Sequence, residues 1–163
     1  MKQAAPDSER GPMIAFAPKR PFDASHPDAL AVYCSDGRFT DAVEDLLHHL
    51  GHARLDTLTL PGGAGLIEYT SAGLGAVETV RGSLSFLIQG HGTKHVVLIA
   101  HESCGYYKQR FPYESKEAML RRQLLDLRAA ERWIRASHAK VDVTQYYART
   151  AEGGFVFEPQ PLG

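Results

Sequence analysis

The run "HVVLIAH", His95 to His101, is apolar and mostly β-branched, with no polar alternation. That is the pattern of a strand covered on both faces inside a parallel sheet. Few folds accommodate such a strand, because parallel neighbours must be joined by long crossovers, usually helical. A second run, "ALAVYC" (29–34), ends in a loop containing Gly37 and reads as another central strand. Between them, "TDAVEDLLHHLG" places Val43, Leu46, Leu47 and Leu50 on one helical face, with Thr40 as the expected N-cap and Gly51 as the stop. "RLDTLTLPGGAG" reads as a strand and a glycine-rich turn, followed by an expected helix from about Glu68 to Gln89. A charged helix is expected from about Glu114 to Ser137, its buried side formed by Leu120, Leu124, Leu127, Ala130 and Ile134. "KVDVTQYYAR" and "GGFVFEP" close the chain as two strands around a turn. The expectation is an α/β fold: a mainly parallel β-sheet flanked by helices, with a C-terminal antiparallel strand pair.

With 163 residues and 44% apolar content, the chain supports one core. Residues 1–27 carry Pro6, Pro12, Pro18, Pro21 and Pro27 and are expected to form an extended or partly disordered arm, leaving 28–163 as a single domain. Basic and acidic side chains number 18 and 19, which gives no electrostatic reason to expect nucleic acid or an acidic membrane as partner. No run approaches the roughly 20 apolar residues of a membrane span, and the N-terminus lacks the apolar core of a signal peptide, so a cytoplasmic location is expected. Two cysteines make no disulfide framework; in a reducing compartment they serve burial, redox chemistry or metal binding.

Both cysteines fall where α/β sheets build their sites, beyond the carboxyl ends of strands. Cys34 ends the first strand, His101 ends the third, and Cys104 follows within three residues. Two thiolates and an imidazole suit zinc, with a fourth position left open. Beside Cys34, "CSDGRF" sets Asp36 and Arg38 close enough for an ion pair. His49 and His52 read as solvated surface residues, and His91 and His95 stand at the opposite end of the strand. Gly62, Gly63 and Gly65 lack the Lys-Ser or Lys-Thr that would complete a phosphate loop, and read as a tight turn beside the site.

A C-x-D-x-R loop followed by a later strand ending in H-x-x-C-G resembles the β-class carbonic anhydrases, over about Ala29 to Pro159. The resemblance implies one Zn²⁺ held by Cys34, His101 and Cys104, with Asp36 and Arg38 as the catalytic pair. It implies reversible hydration of carbon dioxide to bicarbonate via zinc-bound hydroxide, and assembly as a homodimer or higher oligomer. Ionised Asp36, able only to accept a hydrogen bond, would orient the nucleophile, and Arg38 would keep that carboxylate from swinging onto the metal. Two departures stand out. Where the family usually carries an R-N-A-G-N-like segment this chain has "LPGGAG", and Tyr106 and Tyr107 replace the usual small residues after the second cysteine. The tyrosines are expected to pack against a partner subunit or narrow the entrance. Two other uses fit the same residues: hydrolysis of carbonyl sulfide or carbon disulfide, and a non-catalytic zinc-binding or redox-sensing role in which Asp36 closes the fourth position.

Overall fold

The structure is a computed structural model that describes residues 15–19 and 21–161. Residues 1–14 and 20 of the expected N-terminal arm therefore lie outside the described residues, and the described part of it has no regular secondary structure before Ala29. The elements are β1 (Ala29–Cys34), α1 (Thr40–His49), β2 (Asp56–Leu60), a 3-10 segment (Gly63–Ile67), α2 (Leu74–His91), β3 (His95–His101), α3 (Gly105–Arg110), α4 (Lys116–Ser137), β4 (Asp142–Ala151) and β5 (Gly154–Pro159). No described helix is long and apolar enough to cross a membrane.

The strands form one sheet in the order β2-β1-β3-β4-β5, parallel except for the antiparallel β4–β5 pair. β1 is buried along its whole length and β3 is buried after His95, as their unbroken apolar runs require. Leu30, Val32, Val96 and Leu98 face a core built with Val77, Val80 and Leu84 of α2 and Leu127, Ala130 and Ile134 of α4. Ala31, Tyr33, Val97 and Ile99 face the other way, against Phe39, Val43 and Leu47. Each fully buried leucine or isoleucine contributes on the order of 1.5–3 kcal/mol, so the two faces together hold the sheet between its helices.

The chain runs outward from β1 to β2 and then returns across β1 to β3, so the direction of winding reverses between β1 and β3. A crevice opens at such a point beyond the strand ends. Here it is visible in the register. β1 follows β2 as far as Cys34↔Leu60, and β3 follows β4 as far as His101↔Ala148, but β1 and β3 pair only as far as Val32↔Leu98. The two strands separate just before Cys34 and His101.

Four local expectations need correction. Phe39, not Thr40, caps α1, and the Thr40 hydroxyl bonds the Tyr33 side chain instead. α2 starts at Leu74 rather than near Glu68, because residues 68–73 form turns whose polar groups are used by α3 and α4, described below. α4 starts at Lys116, with the Ser115 hydroxyl accepting from the Ala118 N–H at 3.2 Å. The one-and-a-half-turn α3, directly after Cys104, is too short to carry the periodicity by which a helix is recognised.

Candidate metal centre

The separated ends of β1 and β3 bring together Cys34, His101 and Cys104, whose donor atoms all lie within 4.8 Å of one another. All three are buried, at 8%, 3% and 1% exposure. The two sulfurs stand 3.8 Å apart, far beyond a disulfide bond. Two bonds of about 2.3 Å meeting at a tetrahedral angle would set sulfurs about that far apart. His101 lies on the same centre through Nε2. Its Nδ1 is 2.9 Å from the Glu102 carbonyl and must donate to it, which leaves the lone pair on Nε2. That Nε2 is buried and has no hydrogen-bond partner. A buried acceptor without a donor is costly, and a metal ion in the crevice is the group that would satisfy it. The donor set fits zinc.

The sulfurs are electrostatically paired. The Cys34 thiol is brought down to about 4, first by the hydrogen bond from Cys104, with further help from the backbone N–H groups of Gly62 and Asp36. Cys104 is pushed up, first by that same bond and then by burial, while the N–H groups of Tyr107 and Tyr106 pull the other way. The two sulfurs therefore titrate as a pair that shares a single proton. A dication would displace it. The loop joining His101 to Cys104 turns through Ser103, which has φ 61°, a left-handed conformation unusual for a residue with a side chain.

Asp36 and Arg38 meet as expected. Arg38 Nε donates to Asp36 Oδ1 at 2.9 Å and Nη2 to Oδ2 at 2.6 Å, a two-pronged pair reinforced by the Arg38 backbone N–H at 3.2 Å. The guanidinium holds the Asp36 carboxyl down at about 2. With both oxygens turned to Arg38, Asp36 stays outside the cluster of donors around the sulfurs. Phe39 completes this side, its ring 4.2 Å from His101 and 4.2 Å from Phe155 of β5. Between the β1 and β3 ends, Tyr33, Phe39, Val43 and Ile99 line an apolar crevice against Cys34 and His101 that is too narrow for water.

The two departures noted in the sequence turn out to be halves of one contact. Tyr107 is buried within its own chain, at 1% exposure, so it does not pack against a partner as expected, while Tyr106 is half-buried. Tyr106 lies over Gly62, where a Cβ would meet its ring at 2.5 Å. Tyr107 lies over Gly65, where a Cβ would stand 1.9 Å from its hydroxyl. Gly63 has φ 54° and rests on the backbone of Tyr33 and Cys34, with 2.8 Å to a hypothetical Cβ. The glycines are thus a turn beside the site, as expected, shaped to receive two aromatic rings.

The sequence reading passed over Gln123 and Asp126. Both are buried on α4, and Gln123 Nε2 donates to the His101 carbonyl at 2.9 Å. The available signal was positional: each sits three or four residues from the apolar stripe Leu120, Leu127 and Ala130, where a polar residue enters the core only with partners. His49 is exposed, and His52 lies near Asp28 at 3.7 Å, at the far end of the sheet together with His91 and His95.

The same fold occurs in solved β-carbonic anhydrases. A chain of the tetrameric enzymes of the filamentous ascomycete Sordaria macrospora superposes with TM-score 0.52 at 15% identity, covering 85% of this chain and 84% of that one. A β-carbonic anhydrase of the fungal pathogen Aspergillus fumigatus gives 0.52 at 18% identity, over 82% and 76%. The Coccomyxa enzyme in complex with acetazolamide gives 0.52 at 13%, over 85% and 75%. No curated protein sequence matches the chain. A family model described as "Putative carbonic anhydrase" does match, over residues 24–154, a span containing Cys34, Asp36, Arg38, His101 and Cys104, and the chain belongs to that family.

Proposed function

We propose that the protein catalyses the zinc-dependent, reversible hydration of carbon dioxide to bicarbonate, with Cys34, His101 and Cys104 holding the metal and Asp36 and Arg38 acting beside it. The observation that carries this reading is the unpartnered, buried Nε2 of His101 facing two sulfurs 3.8 Å apart. Bound there, zinc would supply Lewis acidity toward a water in its open position. Two thiolates already balance the metal's charge, so the protein's own groups matter more for preparing that water than they would in a histidine-only site.

Asp36 remains ionised at neutral pH and can only accept hydrogen bonds, which turns a nucleophile's lone pair away from itself and toward an incoming substrate. Arg38 occupies both carboxylate oxygens from the solvent side, and Oδ2, which accepts from a single donor, keeps a further lone pair for this task. The same grip argues against a purely structural metal site closed by Asp36. A sulfur-containing substrate would need an altered pocket, for which the divergent loop 60–65 and Tyr106 and Tyr107 are the grounds; the tyrosines are held against Gly62 and Gly65 of that loop.

Assembly as a homodimer or larger oligomer is carried over from the fold shared with the tetrameric Sordaria enzymes. A cytoplasmic location accords with two free thiols. Stopped-flow hydration of carbon dioxide, on protein of measured zinc content and from neutral to alkaline pH, tests the activity. A rate rising with one ionisation is expected; full zinc occupancy with no hydration at any pH overturns the proposal.

A further inference from the structure

We infer that Asp126 is a positioning residue for the metal centre: through the hydroxyls of Tyr107 and Ser71 its buried carboxylate clamps the first turn of α3 to the turns of residues 68–73, which follow the glycine turn. The inference rests on the metal-binding reading above, and concerns residues outside the donor set Cys34, His101 and Cys104.

The clamp is built at short range. Tyr107 Oη donates to Asp126 Oδ2 at 2.6 Å, Ser71 Oγ donates to the same oxygen at 2.5 Å, and Thr70 Oγ1 reaches Oδ1 at 3.4 Å. Tyr106 Oη donates to the Ser71 carbonyl at 2.7 Å, so Ser71 is tied to α3 twice, directly by Tyr106 and through Asp126 by Tyr107. Asp126 and Ser71 are almost wholly buried, at 3% and 0% exposure. A carboxylate in that position survives because every hydroxyl around it donates; removing one leaves a buried acceptor short of a partner.

The clamped turn of α3 and the glycine turn beneath its two tyrosine rings carry the backbone that faces the two sulfurs. The N–H groups of Tyr106 and Tyr107 face Cys104, and that of Gly62 faces Cys34. Gly62 and Gly65 have no side chain between the turn and the rings. Sliding α3 by a fraction of an ångström would therefore move Cys104 and these donors together. Groups that orient metal-binding side chains in this way commonly govern metal affinity, by about 10–100-fold when lost.

The test compares zinc affinity, by competition with a chromogenic chelator, in the wild type, Asp126→Asn, Tyr107→Phe and Ile134→Val, a variant of the distant core. Asp126→Asn and Tyr107→Phe are expected to bind zinc about 10–100-fold more weakly and to alter the visible spectrum of the cobalt-substituted protein, which reports coordination geometry. Ile134→Val should lose stability without either change. Wild-type affinity and spectrum in both clamp variants, or equal weakening in Ile134→Val, would overturn the inference. If Asp126→Asn does not fold, Tyr107→Phe, which keeps the ring, decides. A wild type that binds no zinc removes the metal reading and the clamp together, whereas wild-type binding with unaffected variants removes the clamp alone.

Discussion

The two loops that each deliver a sulfur to the centre are built on opposite principles. The Cys34 loop is wet on its outer side: Arg38 is 72% exposed and grips an Asp36 that is 22% exposed. The Cys104 loop is dry beneath, its following residues leading into Tyr107, Asp126 and Ser71, all buried. A carboxylate anchors both, but one faces solvent and the candidate reaction, while the other is enclosed and accepts from the hydroxyls of Thr70, Ser71 and Tyr107. Exposure makes the first pair cheap to perturb and suited to chemistry. Burial makes the second costly to perturb and suited to holding geometry.

The strongest way to break this comparison is to remove the element the loops share. Cys34→Ser and Cys104→Ser should each lose stoichiometric zinc, measured by metal analysis after gel filtration; retention in either variant would show that one loop suffices. Arg38→Ala should separate the loops. Turnover is expected to fall about 10–100-fold while zinc content stays at the wild-type level, since among the described residues the Arg38 side chain hydrogen-bonds to Asp36 and not to the metal-binding set. Unchanged turnover would remove the pair from the mechanism.

Gly65→Ala sharpens the dry side. The added methyl would stand 1.9 Å from the Tyr107 hydroxyl, and overpacking of this kind costs about 1–3 kcal/mol in chemical denaturation. Combined with Tyr107→Phe, the loss should be less than additive, because the phenylalanine relieves the closest contact. The smallest effect belongs to acid. The folded Asp36 carboxyl sits at about 2, below about 3.9 in an unfolded chain, so its contribution to stability is complete above the unfolded value and disappears as pH falls toward the folded one. In metal-free protein the difference in Tm between wild type and Arg38→Ala should therefore shrink between about pH 4 and about pH 2. Solvent screening keeps it modest, and a difference that persists at the acid end would assign it to the Arg38 side chain's packing.

Residues close in sequence were the readable ones. "ALAVYC" and "HVVLIAH" announced buried parallel strands because burial on both faces leaves no polar alternation, and the sheet contains them as β1 and β3. The spacings in "CSDGRF" and "HESCG" carried the candidate site because a bidentate ion pair and a metal-binding turn are short-range structures. The start of α2 was misplaced since helical periodicity through 68–73 competes with polar contacts to α4, more than fifty residues away. Tyr106 and Tyr107 were read outward for the same reason. Their partners, Gly62, Gly65, Ser71 and Asp126, lie on three other segments, and no local pattern links them.

The sequence by itself determined the layered α/β plan, the strand ends at which a site would sit, and the candidate donor residues there, all consequences of hydrophobic period and ligand chemistry within short segments. Only the tertiary structure decided that β1 and β3 part before Cys34, that His101 presents Nε2 rather than Nδ1, and that Asp36 turns to Arg38. It alone matched two tyrosines to two glycines under one buried carboxylate. Those choices depend on which distant groups arrive within hydrogen-bond or van der Waals range, and that is set by packing, which no single segment encodes.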